Sequence, residues 1–224
     1  MSTVKRMINA MIALENESDR FIQREMFYIV SVYLHPSLEK DSLKDKEKLF
    51  DLAGRLLCSE PRPLALYTNF NEILMIFDSC PEGEEHPYKG SHHRIVSRYC
   101  SIITQALPPS VIKNGLYETV CDVRIIEIKN KISMVTYLGY ILFQTGQNQM
   151  KLLSGGAITD NLLCFRTSAE LQELFLSKTG MTWDQIDLFD RYGIIMKLQG
   201  KKILKRSGPY DSRDNESLLN FIFN

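Results

Sequence analysis

PRPLALYTNFNEILMIF, residues Pro61–Phe77, decides how the chain is read. Two apolar runs, Leu64–Tyr67 and Ile73–Phe77, flank the polar interruption Thr68-Asn69-Phe70-Asn71-Glu72. Short runs rich in β-branched, aromatic and long aliphatic residues predict buried strands. Asn tolerates left-handed backbone and bonds its own main chain, so the interruption predicts a tight turn. The stretch is therefore a hairpin whose second strand opens at Asn71 and Glu72. An ordinary turn accounts for that pair, and a metal site there would need charge that an amide lacks.

Upstream, Phe27–Leu34 (FYIVSVYL) predicts an apolar strand stopped at His35-Pro36. Asp41 or Ser42 caps a helix reaching about Cys58, with Leu49, Ala53, Leu56 and Leu57 on its apolar side. Residues 3–26 show helical spacing at Val4, Met7, Ile8, Met11, Ile12 and Leu14, then Phe21 and Ile22 after a polar break.

Downstream, Cys80–Ser91 is a Pro- and Gly-rich loop, and His92–Leu107 a helix ended by Pro108-Pro109. Thr119–Ile128 is a strand with Asp122 and Arg124 on one face. Residues 131–150 predict an apolar helix. Thr167 or Ser168 caps Ala169–Lys178, closed by Gly180. Gly193–Leu198 and Lys201–Lys205 form a hairpin turning at Gln199-Gly200. The polar tail ends in the apolar patch Leu218–Phe223, which needs somewhere to dock. This order predicts an α+β fold, an antiparallel palm or ferredoxin-like sheet with helices packed on one face, plus a C-terminal β-hairpin. The expected division is an N-terminal helical extension over 1–26, the palm domain over 27–206 and a tail over 207–224.

Lys+Arg 27 balance Asp+Glu 27 in 224 residues, so nucleic-acid contact would need a local patch. The five cysteines show no zinc-site spacing, read most simply as core residues, and are expected to be reduced. The longest apolar segment, Ile132–Phe143, is too short for a membrane span. An intracellular, soluble protein without membrane association is expected.

Several words of sequence, taken in order, resemble the tRNA(His) guanylyltransferases, the reverse (3′-to-5′) nucleotide polymerases. Tyr67-Thr68-Asn69-Phe70-Asn71-Glu72 is similar to that family's Gln-Ser-Asp-Glu hairpin, with only Glu72 kept. Cys121-Asp122-Val123-Arg124 resembles its Asp-x-Arg strand. Arg166-Thr167-Ser168-Ala169-Glu170-Leu171-Gln172-Glu173-Leu174 is close to its Lys-Ser-Thr-x-Glu-Met-Gln-Glu-Leu helix start. Gly180-Met181-Thr182-Trp183-Asp184, then Arg191-Tyr192-Gly193, looks like its Gly-Ile-Asn-Trp-Asn and Lys-Arg-Gly ending.

The resemblance implies a palm that transfers nucleotides with two divalent metals held by carboxylates. It places Tyr33 and Asn71 where the family has those acids, leaving Glu72 as the residual carboxylate. A phenol is uncharged at neutral pH and an amide brings no charge, so paired cations lack their ligands. The resemblance thus implies a catalytically inactive relative, without catalytic residue, metal or cofactor, acting as a binding or structural subunit of a larger assembly. Its partner would be a protein or a second copy. The alternatives are an active nucleotidyltransferase adding nucleotides to the 5′ end of tRNA with Mg²⁺ and GTP, and a non-catalytic RNA-binding module. Candidate phosphate or nucleic-acid contacts are His92, His93, Arg94 and Arg98 at a helix start, and Lys201, Lys202 and Lys205 in the C-terminal hairpin. A polar helix start and a solvated edge strand are the plainer readings of the same residues.

Overall fold

The computed structural model describes residues 20–34, 46–69, 72–106, 112–113, 116–117, 121–163, 167–208 and 215–224. The elements are β1 (Phe27–Leu34), α1 (Lys46–Leu57), β2 (Ala65–Thr68), β3 (Glu72–Phe77) and α2 (His92–Ala106). There follow β4 (Ile112–Lys113), β5 (Leu116–Tyr117), β6 (Cys121–Ile128), α3 (Lys131–Leu153), α4 (Asp160–Leu163) and α5 (Ser168–Thr179). The chain ends in α6 (Leu188–Tyr192), β7 (Ile194–Gln199), β8 (Lys202–Ser207) and α7 (Asn215–Phe223).

The main sheet has the order β6-β1-β3-β2-β7-β8, and every neighbouring pair is antiparallel. Its first four strands, with α1 and α2 as the crossovers, make the expected palm. The C-terminal hairpin β7–β8 extends the sheet by pairing with β2.

β1 reads as a continuous apolar run because both of its faces are covered. Tyr28, Val30, Val32 and Leu34 pack with Leu49, Leu52, Ala53, Leu56 and Leu57 of α1 and with Ile95, Tyr99 and Ile103 of α2. Burying each large aliphatic side chain contributes ~1.5–3 kcal/mol. The opposite face, with Phe27, Ile29, Leu74 and Ile76, packs against Met134, Val135, Leu138, Ile141 and Leu142 of α3. The helices expected on one face are thus joined by a second layer on the other. Side chains alternate along a strand, and here both alternating sets are apolar, so each needs a cover.

The apolar patch at the C-terminus docks within its own chain. Leu218 and Ile222 of α7 are buried in the α3-side core. Phe223 meets Phe27 edge-on at 5.7 Å between ring centroids. Of the expected N-terminal helix, residues 1–19 lie outside the described set. Residues 20–26 are not helical, because their backbone groups are engaged elsewhere. Phe21 bridges to Ser91, and Ile22 donates its N–H to Gly90 at 3.0 Å. The stop at His35-Pro36, the cap at Asp41 or Ser42 and Pro108-Pro109 also lie outside the described residues. The reading of the cysteines as core fails for Cys58, which is exposed, while Cys80 and Cys100 are half-buried free thiols.

A further core joins the C-terminal half of α3 to α5, with Met150, Ile158, Leu163, Leu171, Phe175 and Trp183. α5 starts at a capping box in which Thr167 and Glu170 bond each other's backbone N–H. It ends at Gly180 with φ 71°, the left-handed stop expected of glycine.

Candidate functional site

Strand register assembles the site at one end of the sheet. Tyr33 on β1 lies opposite Glu72 on β3 and, on its other side, opposite Asp122 on β6. Two residues back, Ser31 lies opposite Arg124. The alternation of side chains puts all five on the α3 side. Two separate sequence positions, Glu72 and Asp122, thus flank Tyr33 at a distance of two strand spacings, ~10 Å. Asp78, at the far end of β3, takes no part.

The two carboxylates differ in environment. Ser31 Oγ donates to Glu72 Oε1 at 3.2 Å. Burial raises the Glu72 carboxyl above its ordinary pKa, against the opposing effects of the Ser31 hydrogen bond and the Arg124 charge. Asp122 is mostly exposed and accepts from Arg124 Nη2 at 3.0 Å. Tyr137 of α3 lies over the same group. Its hydroxyl is raised first by burial and then by the Glu72 charge, with Arg124 opposing.

Behind the site, the turn is built as the sequence predicts, with Asn69 as its working residue. Asn69 donates its N–H to the Glu72 carbonyl at 3.1 Å, and its Oδ1 accepts from Glu72 N at 2.8 Å. Its Nδ2 donates to Thr145 Oγ1 at 3.0 Å and to the Tyr67 hydroxyl at 3.3 Å. The Tyr67 hydroxyl shares a 2.8 Å bond with Thr145 Oγ1 and donates to the Tyr192 carbonyl at 3.1 Å. Burial pushes the Tyr67 hydroxyl far up, so it stays neutral. This network locks the hairpin to α3 and α6. Sequence reasoning missed it. The available signal was Thr145, a polar residue recurring with Leu138, Ile141 and Leu142 on the apolar side of α3.

The divalent pair implied by the resemblance does not fit these residues. Two-metal chemistry needs ions ~3.5–4 Å apart, bridged and neutralised by converging carboxylates. Here a phenol stands between the acids, Arg124 already pairs with Asp122, and burial raises the Glu72 carboxyl above its ordinary pKa. Asn71 lies outside the described residues, and its amide contributes no charge in any case.

The other candidates lie away from this group. His92 sits near Glu127, its Nε2 3.4 Å from Glu127 Oε1, at the Phe27 end of β1. Glu127 pairs with Tyr28, which places this contact ~17 Å along β1 from Tyr33. α2, which carries His92, His93, Arg94 and Arg98, packs on the face opposite to Glu72. His93 and Arg94 are exposed, and Arg98 donates to the Glu60 carbonyl at 3.4 Å. On the outer strand β8, Lys202 and Lys205 are exposed, as is Lys201 at the turn. The Lys205 ammonium lies over the Phe50 ring at 4.2 Å, and Arg206 bonds the Ser217 carbonyl and hydroxyl. The basic run therefore divides between the two faces of the sheet. Among the described residues no helix is long and apolar enough to cross a membrane.

No family model matches the chain. No curated protein matches it either. Solved structures do. One is a bacterial tRNA(His) guanylyltransferase-like protein in complex with ATP, with a TM-score of 0.72 and 13% sequence identity, over 97% of this chain and 99% of that one. Such a protein in complex with GTP gives a TM-score of 0.69 at 13% identity, over 98% and 100%. The tRNA(His) guanylyltransferase of Saccharomyces cerevisiae gives 0.60 at 14% identity, over 90% and 97%. Over nearly its whole length, then, this chain has the fold of the tRNA(His) guanylyltransferases.

Proposed function

We propose that the chain is a guanylyltransferase-fold protein that binds rather than catalyses, serving as a binding or structural subunit of a larger assembly. The observation that carries this reading is the row Glu72–Tyr33–Asp122. Two structural neighbours are in complex with ATP and GTP. The sequence resemblance puts a phenol, Tyr33, where nucleotide transfer would need an acid.

The same place has the composition of a contact surface. Tyr33 is 38% exposed, and Arg124, opposite Ser31 and so two residues along the strand pair, has most of its side chain in solvent. Tyr and Arg dominate the strongest contacts of protein interfaces, because they combine large area with directional polar groups. A protein partner or a second copy of the chain suits this surface.

Incubating the full chain with labelled GTP, Mg²⁺ and tRNA tests the reading. Incorporation should not rise above a no-protein control. Robust addition to the tRNA 5′ end would overturn it in favour of an active transferase.

A further inference from the structure

Among the described residues β8 is an edge of the main sheet, paired only with β7. Native sheets blunt such an edge with a proline, a bulge or charge. β8 uses charge alone. Its six residues match β7 one for one, without a bulge, and include no proline. Lys202, Ile203, Leu204 and Lys205 are all exposed. Ile203 and Leu204 are each 37% exposed, on opposite faces of the sheet. The strand is nonetheless held in place from both faces. The Lys205 ammonium lies over the Phe50 ring of α1, and Arg206 bonds Ser217 of α7.

The charge is of one sign. Residues 194–207 contain Lys197, Lys201, Lys202, Lys205 and Arg206 and no acid. That selects among possible occupants of the edge. A second copy would pair β8 with itself about a two-fold axis. An axis at Leu204 sets Lys202 opposite Arg206, one at Lys205 sets that residue opposite itself, and one at Ile203 sets Lys201 opposite Lys205. Like charges directly opposite destabilise a strand pair. A nucleic-acid backbone fits no better, because Lys205 lies on the α1 face and Lys202 on the α7 face. An added strand meets both, since its own side chains alternate between the faces.

We infer that the outer edge of β8 takes an extended acidic segment of another protein as a further strand of the sheet. Asp or Glu stands opposite Lys202 and opposite Lys205, and the two residues between them are apolar, opposite Ile203 and Leu204. Main-chain hydrogen bonds hold such a segment, and the facing side chains select it. The site is at the opposite edge of the sheet from Asp122, and it does not depend on whether the chain transfers nucleotides.

The test uses the full chain and an eight-residue peptide of threonine and valine, with glutamates flanking two central valines. Amide exchange over residues 202–207 should slow several-fold when the peptide is added. The peptide should bind at least tenfold tighter than the same peptide with lysines in place of its glutamates. Lys202→Glu should weaken binding several-fold, and a peptide with one glutamate changed to lysine should restore it. Unchanged exchange over 202–207, or equal binding of the glutamate and lysine peptides, would overturn the inference. A single-stranded oligoribonucleotide that displaces the peptide and itself loses affinity in Lys202→Glu would overturn it in favour of nucleic acid.

Discussion

Replacing Gly193 by alanine tests how the site is anchored. Gly193 has φ 71° and ψ −162°, a region open essentially to glycine alone, where another residue costs ~1–3 kcal/mol. The added Cβ would stand 2.6 Å from the Thr68 carbonyl oxygen and 2.7 Å from the Tyr67 ring and hydroxyl. Neither neighbour is a free side-chain end. Thr68 is within the sheet, and the Tyr67 hydroxyl is held by Thr145 and the Tyr192 carbonyl. Overpacking of this kind adds ~1–3 kcal/mol, for a total of ~2–6 kcal/mol. In a chain of this size ~1 kcal/mol moves Tm by ~2–4 °C, so Gly193→Ala should lower Tm by at least ~4 °C. Urea unfolding followed by circular dichroism should show the same loss as a lower midpoint with an unchanged slope. Gly139→Ala is the control. It lies in α3 with nothing near its added Cβ, and should stabilise by ~0.5–1 kcal/mol. Equal Tm values for Gly193→Ala and the parent would refute the described packing of Gly193 on Tyr67.

Four further outcomes are expected. Tyr67→Phe removes the hydroxyl that Thr145 Oγ1 and Asn69 Nδ2 bond in the buried network and should cost ~1–3 kcal/mol in urea unfolding. Ile222→Ala, at a fully buried site on α7, should cost ~2–5 kcal/mol; a change within ~0.5 kcal/mol would mean that α7 does not dock. Glu72 is raised by burial, so the folded state holds its proton more tightly than the unfolded chain. Stability from this group is present below the ordinary carboxyl pKa and falls as pH rises through the folded value. Glu72→Gln should therefore raise Tm at pH 8 and lose that advantage near pH 4, as thermal scans across pH would show. Tyr33→Asp places a second acid directly opposite Glu72, with Cβ atoms ~4.5–5.5 Å apart, and combined with Asn71→Asp should strengthen Mn²⁺ binding at least tenfold by calorimetry.

Much of the palm was legible because its signals are local. Phe27–Leu34 and the hairpin around Asn69 announce themselves by apolar runs and turn chemistry, and Thr167 with Glu170 marks a helix start without help from tertiary structure. What could not be read was register between distant segments. Tyr33 and Asp122 are 89 positions apart, and only the pairing of β1 with β6 makes them neighbours. The second helical layer was hidden for a related reason. α3 is apolar nearly all round, so its sequence does not say which side meets the sheet, and the patch at Leu218 and Ile222 was not recognised as its companion. Residues 20–26 show the reverse failure. Their apolar pattern suits a helix, yet bonds to Gly90 and His92 hold Arg20 and Ile22 against the next segment, and the chain then turns at Arg24-Glu25.

The account stands or falls on the charge available beside Tyr33. Titrating Mn²⁺ into the full chain with GTP present, followed by electron paramagnetic resonance, addresses that directly. The row of Glu72, Tyr33 and Asp122 predicts no spin-coupled pair of ions at this site. A coupled pair bound with GTP, and lost in Glu72→Gln, would contradict it.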